Sequence, residues 1–239
     1  VAIVKDMIPD DANVFDRFLP YKFARNVDGF VCVKKGIAED IEHFEKEPKP
    51  KKYSNLPITF PYGDRIPRDM AIEQLSLDPN YRYLLFFGYI RPYKGLDLLI
   101  DAFADERIRK YNVKLIVAGE FKDNIQLYID KIRNTGVGEY LEIRTEYIGN
   151  RDVNKYFSAA DMIVQTYKKP KESGVTQLAY HFEKPVLVTN VKKLADIVPN
   201  GVVGYVVEPT AKDIADAIVD FYENKRREEF ERNVVVEKQ

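Results

Sequence analysis

The chain has 239 residues, 45% of them hydrophobic and 31% charged, a balance ordinary for a globular protein. Its 37 Lys and Arg offset 38 Asp and Glu to a formal net charge of -1, so no bulk electrostatic pull toward nucleic acid or a membrane surface follows. The single cysteine, Cys32, excludes an intrachain disulfide framework and suits a reducing compartment, and no apolar run approaches the ~20 residues that a membrane helix needs.

The first six residues have neither the basic region nor the small-residue cleavage site of a signal peptide. They lack an initiator methionine as well and read as a cut into a longer chain. Residues 2–4 and 30–33 have the apolar character of short strands, and residues 11–25 and 35–45 of the helices after them. Residues 45–52, charged and broken by Pro48 and Pro50, predict a surface loop, and residues 58–61 are a candidate further strand. Two strand–helix units are too few for a parallel domain with its own core. Residues 1–62 are therefore expected to be the tail of an incomplete N-terminal α/β domain. The alternative is an extension packed on a single domain.

From residue 80 onward the alternation is regular. Residues 83–87, 113–118, 162–166, 185–189 and 204–207 predict strands, with 141–148 a weaker one. Leu96, Leu99, Ile100 and Phe103 recur at helical spacing, and residues 125–132, 153–159, 175–182, 194–198 and 213–222 also read as helices. The charged run at 224–232 reads as a solvated helix end. Runs apolar on both faces belong in a parallel sheet covered by helices. Strands alternating with helices predict βαβ units with right-handed crossovers. The expected fold class is α/β, with residues 63–239 forming a Rossmann-like doubly wound parallel sheet that carries helices on both faces.

Two loops carry candidate chemistry. Gly88 ends one strand run, and the segment through Arg91, Lys94 and Gly95 opens the next helix. In an open α/β sheet the ligand sits beyond the carboxyl ends of the strands. A helix start with free N–H groups favours an anion, and two cations placed there disfavour the helix itself, a local conflict that points to function. The second loop, Glu172 to Gln177, also lies between a strand and a helix. Ser173 is a suitable cap, Gly174 permits close approach, successive N–H groups form an anion nest, and Glu172 is placed to accept from sugar hydroxyls. Solvated surface cations and an ordinary capped helix remain the alternatives at this point. Two such loops in one sheet favour a single diphosphate ligand. The chain has no Gly-x-Gly-x-x-Gly and no Gly-Lys-Ser/Thr, which argues against a dinucleotide oxidoreductase and a P-loop NTPase. His43 and His181 lie far apart, and no Cys/His cluster has metal spacing.

The segment LLFFGYIRPYKGLDLLIDAF resembles the start of the C-terminal domain of the retaining family 4 glycosyltransferases (glycosyltransferase group 1), which have the GT-B fold. KLIVAGEF resembles the next strand, and the stretch from ADMIVQTY through ESGVTQLAYHFEKPVLVTN to VVEP resembles the donor site. The resemblance runs from Tyr81 to Pro209, and residues 1–60 resemble the end of the family's N-terminal domain. It implies an acceptor domain and a donor domain facing a cleft, a nucleotide-diphosphate-sugar as donor substrate, and neither metal nor other cofactor. It implies a glycan or lipid-linked acceptor and no nucleic acid partner. A cytoplasmic location follows, extending to peripheral association with the inner membrane face through the absent part of the N-terminal domain. By the resemblance, Lys94 holds the donor diphosphate with Arg91 as its partner; Glu172, placed to accept from sugar hydroxyls, is the third catalytic candidate on the reading of its own loop. Ser173, Gly174, Val175 and Thr176 match the loop that meets the phosphates and sugar, and Ile148 and Gly149 a segment that meets the nucleotide base; Gly88, which permits close approach, and Gln177 are further donor-binding candidates. The chain also departs from the family. Tyr89 follows Gly88 where Arg is frequent, Lys192 and Lys193 replace a Gly pair, and Lys5 precedes Asp6 where His is common. The second of the family's paired glutamates falls at Leu178, so the ribose-binding carboxylate is missing or replaced by Gln177, and the first falls at Pro170. The resemblance implies transfer with retention; the alternative is a donor-binding module that transfers nothing alone.

Overall fold

The computed structural model describes residues 1–4, 19–32, 37–53, 62–170, 173–192 and 194–238. The chain divides into two compact units, Val1–Phe60 and Pro61–Gln239. Lys5, Asp6, residues 58–61, Glu172 and Lys193, all singled out in the sequence, lie outside the described residues.

The first unit places β1 (Ala2–Val4), β2 (Phe30–Cys32) and β3 (Lys51–Tyr53) in one parallel sheet in that order, with α1 (Leu19–Arg25) and α2 (Ile37–Glu42) between them. Val4, Ala24, Phe30, Cys32, Ile37 and Ile41 close a small apolar core. That corrects the expectation that this stretch has too little structure for a core of its own. The core residues come from β1, β2 and the two helices, and a third strand pairs at the edge of the same sheet. Lys51–Tyr53 was expected to fall mostly in a polar loop, and it reads as polar because it is an edge strand with solvent on one side. The preceding Lys49 ties the loop down by donating from Nζ to the carbonyls of Ala24 at 2.8 Å and Val27 at 2.6 Å, at the carboxyl end of α1.

The second unit contains a six-stranded parallel sheet. Its strands are β4 (Arg82–Phe87), β5 (Val113–Ala118), β6 (Leu141–Arg144), β7 (Met162–Gln165), β8 (Val186–Thr189) and β9 (Gly204–Val207), in the order β6-β5-β4-β7-β8-β9. Leu84, Phe86, Leu115, Val117, Met162 and Val164 point into one core cluster. The alternating Leu85, Ile116, Ile163 and Val186 are buried too, so the sheet is covered on both faces, as an all-parallel sheet requires. Helices α4 (Leu96–Phe103), α5 (Glu106–Arg109), α6 (Ile125–Thr135) and α9 (Ala211–Glu223) pack among themselves. Separately, α3 (Arg68–Gln74) packs with α7 (Val153–Ala159), and α8 (Gly174–His181) with α10 (Arg227–Glu237).

Three elements differ from the sequence reading. The strand expected over 141–148 ends at Arg144, because the neighbouring β5 offers pairing only up to Ala118. The helix expected at 194–198 is a single 3-10 turn, Ala195–Ile197. The charged run at 224–232 is no solvated helix end; it mostly belongs to a separate helix, α10, which buries Phe230 and Val234. Arg227 anchors α10 by a 2.5 Å ion pair with Asp161, a carboxylate only 2% exposed at the start of β7.

Candidate functional site

The strand order reverses between β4 and β7. In doubly wound sheets the ligand crevice opens at that switch, beyond the carboxyl ends of the strands. The loops leaving β4 and β7 are the two that the sequence singled out.

Gly88 ends the first strand with φ +90°. A Cβ built there would lie 3.1 Å from Lys94 Nζ and 3.9 Å from Val175 Cγ2, so both loops close on this one residue. Arg91 is extended, and Lys94 belongs to a one-turn 3-10 helix, Pro92–Lys94, not to α4 as the sequence suggested. Gly95 separates the two with φ +70°, and any Cβ on it would sit 1.9 Å from the Thr166 carbonyl. The Lys94 side chain therefore leaves the helix start and returns toward β4. It is 6% exposed, donates to the Phe87 carbonyl at 3.3 Å, and lies 5.8 Å from the Tyr167 ring centroid. Burial, and then the nearby Arg91 charge, lower its pKa from 10.5 to about 8. A buried ammonium with one long hydrogen bond is well suited to receive an anion.

Contacts between the loops fix this arrangement. Thr166 Oγ1 donates to the Gly95 carbonyl at 2.8 Å, Lys168 N donates to the Tyr93 carbonyl at 2.7 Å, and Lys168 Nζ pairs with Asp97 at 2.7 Å. In the second loop Ser173 acts as the helix cap that the sequence indicated, its Oγ accepting from Val175 N at 3.2 Å and bonding Tyr167 OH at 3.0 Å. Open space surrounds the position where a Cβ on Gly174 would lie. Thr176 turns its hydroxyl inward, accepting from Gln165 Nε2 at 2.8 Å, and Gln177 is exposed. The N–H groups of the first turn of α8 have no partner within the helix and carry its positive dipole end.

On the other side of Gly88 lies a cleft of about 160 Å³, lined among others by Tyr89, Glu120, Tyr147, Ile148 and Leu178. Gly119 makes it possible: at φ +142° a Cβ there would meet the Gly88 carbonyl at 2.4 Å. Gly88 and Ile148 thus share one cleft, while Gly149 accepts from Asp152 N at 2.9 Å as the chain turns toward α7. Leu178 forms part of the wall. Sequence reading missed Glu120, Tyr89 and Tyr147 as site residues. A glycine directly after β5, matching Gly88 after β4, was the available signal. His43 is exposed and His181 half-buried, and each contacts a backbone carbonyl through its ring. Among the described residues no group of three or more His, Cys, Asp or Glu could hold a metal ion, and no helix is long and apolar enough to cross a membrane.

The family described as "Glycosyl transferases group 1" matches residues 67–235. A protein of Methanocaldococcus jannaschii named as an uncharacterized glycosyltransferase is 25% identical over 210 residues, covering 86% of this chain and 53% of its own length. The lipopolysaccharide 1,2-N-acetylglucosaminetransferase of Salmonella typhimurium is 29% identical over 160 residues, 62% of this chain and 41% of the relative. The chain thus spans about half the length, or less, of these curated relatives. The solved structure of Anabaena HepE in complex with UDP and glucose has a TM-score of 0.74 at 17% identity, over 98% of this chain and 65% of that one, a likeness of fold. A family match that spans most of the parallel-sheet unit, and both loops that converge on Gly88, leads to one conclusion: the chain belongs to the group 1 glycosyltransferases.

Proposed function

We propose that Pro61–Gln239 holds the diphosphate of a nucleotide-diphosphate-sugar, and that the whole protein transfers the sugar to a glycan or lipid-linked acceptor with retention at the anomeric carbon. The observation that carries this reading is the meeting of a buried ammonium, Lys94, with the start of α8 at Gly88. As the sugar becomes oxocarbenium-like, negative charge grows on the leaving diphosphate. Lys94, Arg91 and the N–H groups at the start of α8 stabilise that charge more in the transition state than in the ground state, which is what accelerates the step. On this reading a leaving phosphate oxygen takes the acceptor's proton. Relatives named for N-acetylglucosamine and mannose transfer, and a neighbour of the same fold solved with UDP and glucose, support it. Residues 1–62 are then the tail of the acceptor-side domain.

Calorimetric titration with UDP-, GDP- and ADP-sugars tests the reading. Binding of one of them, lost in Lys94→Ala and weakened in Arg91→Ala, is the expected result. Binding unchanged in both variants would overturn the site. A second reading, a donor-binding module without transfer, is favoured by the chain spanning only 53% of its M. jannaschii relative. It would be supported by binding without turnover here and turnover in a longer chain.

A further inference from the structure

We infer that Glu120 is the carboxylate that receives the ribose hydroxyls of the nucleotide donor, an inference that rests on the donor reading above. Gly88 is common to two places: the diphosphate cradle of Lys94 and Val175, and the cleft that runs to Tyr147 and Ile148. A nucleotide whose diphosphate sits in the cradle must send its nucleoside into that cleft. The ribose, being bonded to the phosphate, occupies the end near Gly88 and Gly119, and the base lies further along. Glu120 directly follows Gly119 and is the only carboxylate among the described residues that line the cleft. Leu178, which also lines the cleft, has no hydrogen-bonding side chain.

The backbone of Glu120 is fixed to the first loop. Ile90 N donates to its carbonyl at 2.9 Å, and Lys122 N donates to the Ile90 carbonyl at 2.9 Å. The carboxylate is also oriented: Lys122 Nζ engages Oε1 and itself lies 5.0 Å from the Tyr89 ring centroid, which is 6.4 Å from that of Tyr147. That arrangement leaves Oε2 for a ligand. The side chain is 40% exposed and reachable from the cleft. An ionised carboxylate only accepts hydrogen bonds, and a vicinal diol offers two donors at matching spacing. The exposed faces of Tyr89 and Tyr147 give a flat base a surface beyond it.

The test compares UDP, GDP and ADP with their 2′-deoxy and 3′-deoxy forms, by calorimetry, on the wild-type chain, Glu120→Gln, Glu120→Ala and Lys94→Ala. In the wild type, loss of a ribose hydroxyl is expected to weaken the nucleotide that binds by about tenfold, the size of a charge-assisted hydrogen bond. Glu120→Gln and Glu120→Ala should weaken the ribonucleotide by a similar factor and leave the deoxy forms unchanged, so the ribose preference disappears. Lys94→Ala should weaken both forms equally. A ribose preference that survives in both Glu120 variants, or its absence from the wild type, overturns the inference while leaving the donor reading intact. Failure of all three nucleotides to bind would remove the donor reading and this inference with it.

Discussion

Replacing Lys94 by methionine separates the cost of the site from its use. The ammonium is 6% exposed and has one hydrogen bond at 3.3 Å, to a neutral carbonyl. Its pKa falls from 10.5 to about 8. At ~1.4 kcal/mol per pH unit, the charged form at neutral pH costs the empty domain about 3 kcal/mol. Methionine fills much the same space without charge and forfeits the carbonyl hydrogen bond, worth about 1 kcal/mol. The ligand-free variant should therefore be more stable at pH 7 by about 2 kcal/mol, or roughly 4–8 °C in Tm for a unit of this size. Diphosphate binding should drop at the same time by about a hundredfold or more, since a unit charge pair at 4 Å and an effective dielectric of 20 contributes ~4 kcal/mol. The stability gap depends on pH. Between about pH 8 and 10.5 the unfolded wild-type chain holds a proton that the folded chain has released, so wild-type stability rises with pH and the gap closes. Differential scanning calorimetry across pH 7–10.5, paired with titration at pH 7, reads both effects. A Lys94→Met protein less stable than the wild type at pH 7, or a gap that widens with pH, would refute the reasoning.

The same lysine makes donor affinity pH-dependent. Titrations at increasing pH should show diphosphate binding weakening above about pH 8, where the empty site loses its proton, and an affinity flat to pH 9.5 would contradict that role. Gly95→Ala sets a methyl group 1.9 Å from the Thr166 carbonyl at φ +70° and should cost about 3 kcal/mol or more in thermal unfolding. Ser173→Ala removes the cap of α8 and the partner of the buried Tyr167 hydroxyl, with an expected loss of about 1–2 kcal/mol and weaker diphosphate binding.

The central strands could be read from the sequence because they are buried on both faces. β5 and the helices α4 and α7 coincide with the residues expected, as does the half-buried edge strand β9, and β4, β7 and β8 differ by one residue at an end. Elements that obey no local period were less visible. Lys51–Tyr53 is a strand because β2 lies beside it, and α10 is held by the pairing of Arg227 with Asp161, 66 residues away in the chain. The site divides in the same way. Gly88, Lys94 and Ser173 are recognisable from loops that follow apolar runs, since ligands gather at such strand ends. The burial of Lys94 was not recognisable, because it depends on Thr166 and Lys168 closing the β7 loop over it. Glu120 stayed hidden for a similar reason: its place in the cleft is set by pairing across to Ile90. Tertiary closure, rather than local propensity, decides these features.

The most direct measurement follows the backbone amide resonances of the chain during titration with UDP, GDP and ADP. The expected result is a saturable shift at Gly88, Gly174, Val175 and Thr176 with one of these nucleotides, absent in Lys94→Ala. Shifts confined to other parts of the sheet, or the same shifts in Lys94→Ala, would contradict the assignment of the diphosphate to the cradle at Gly88.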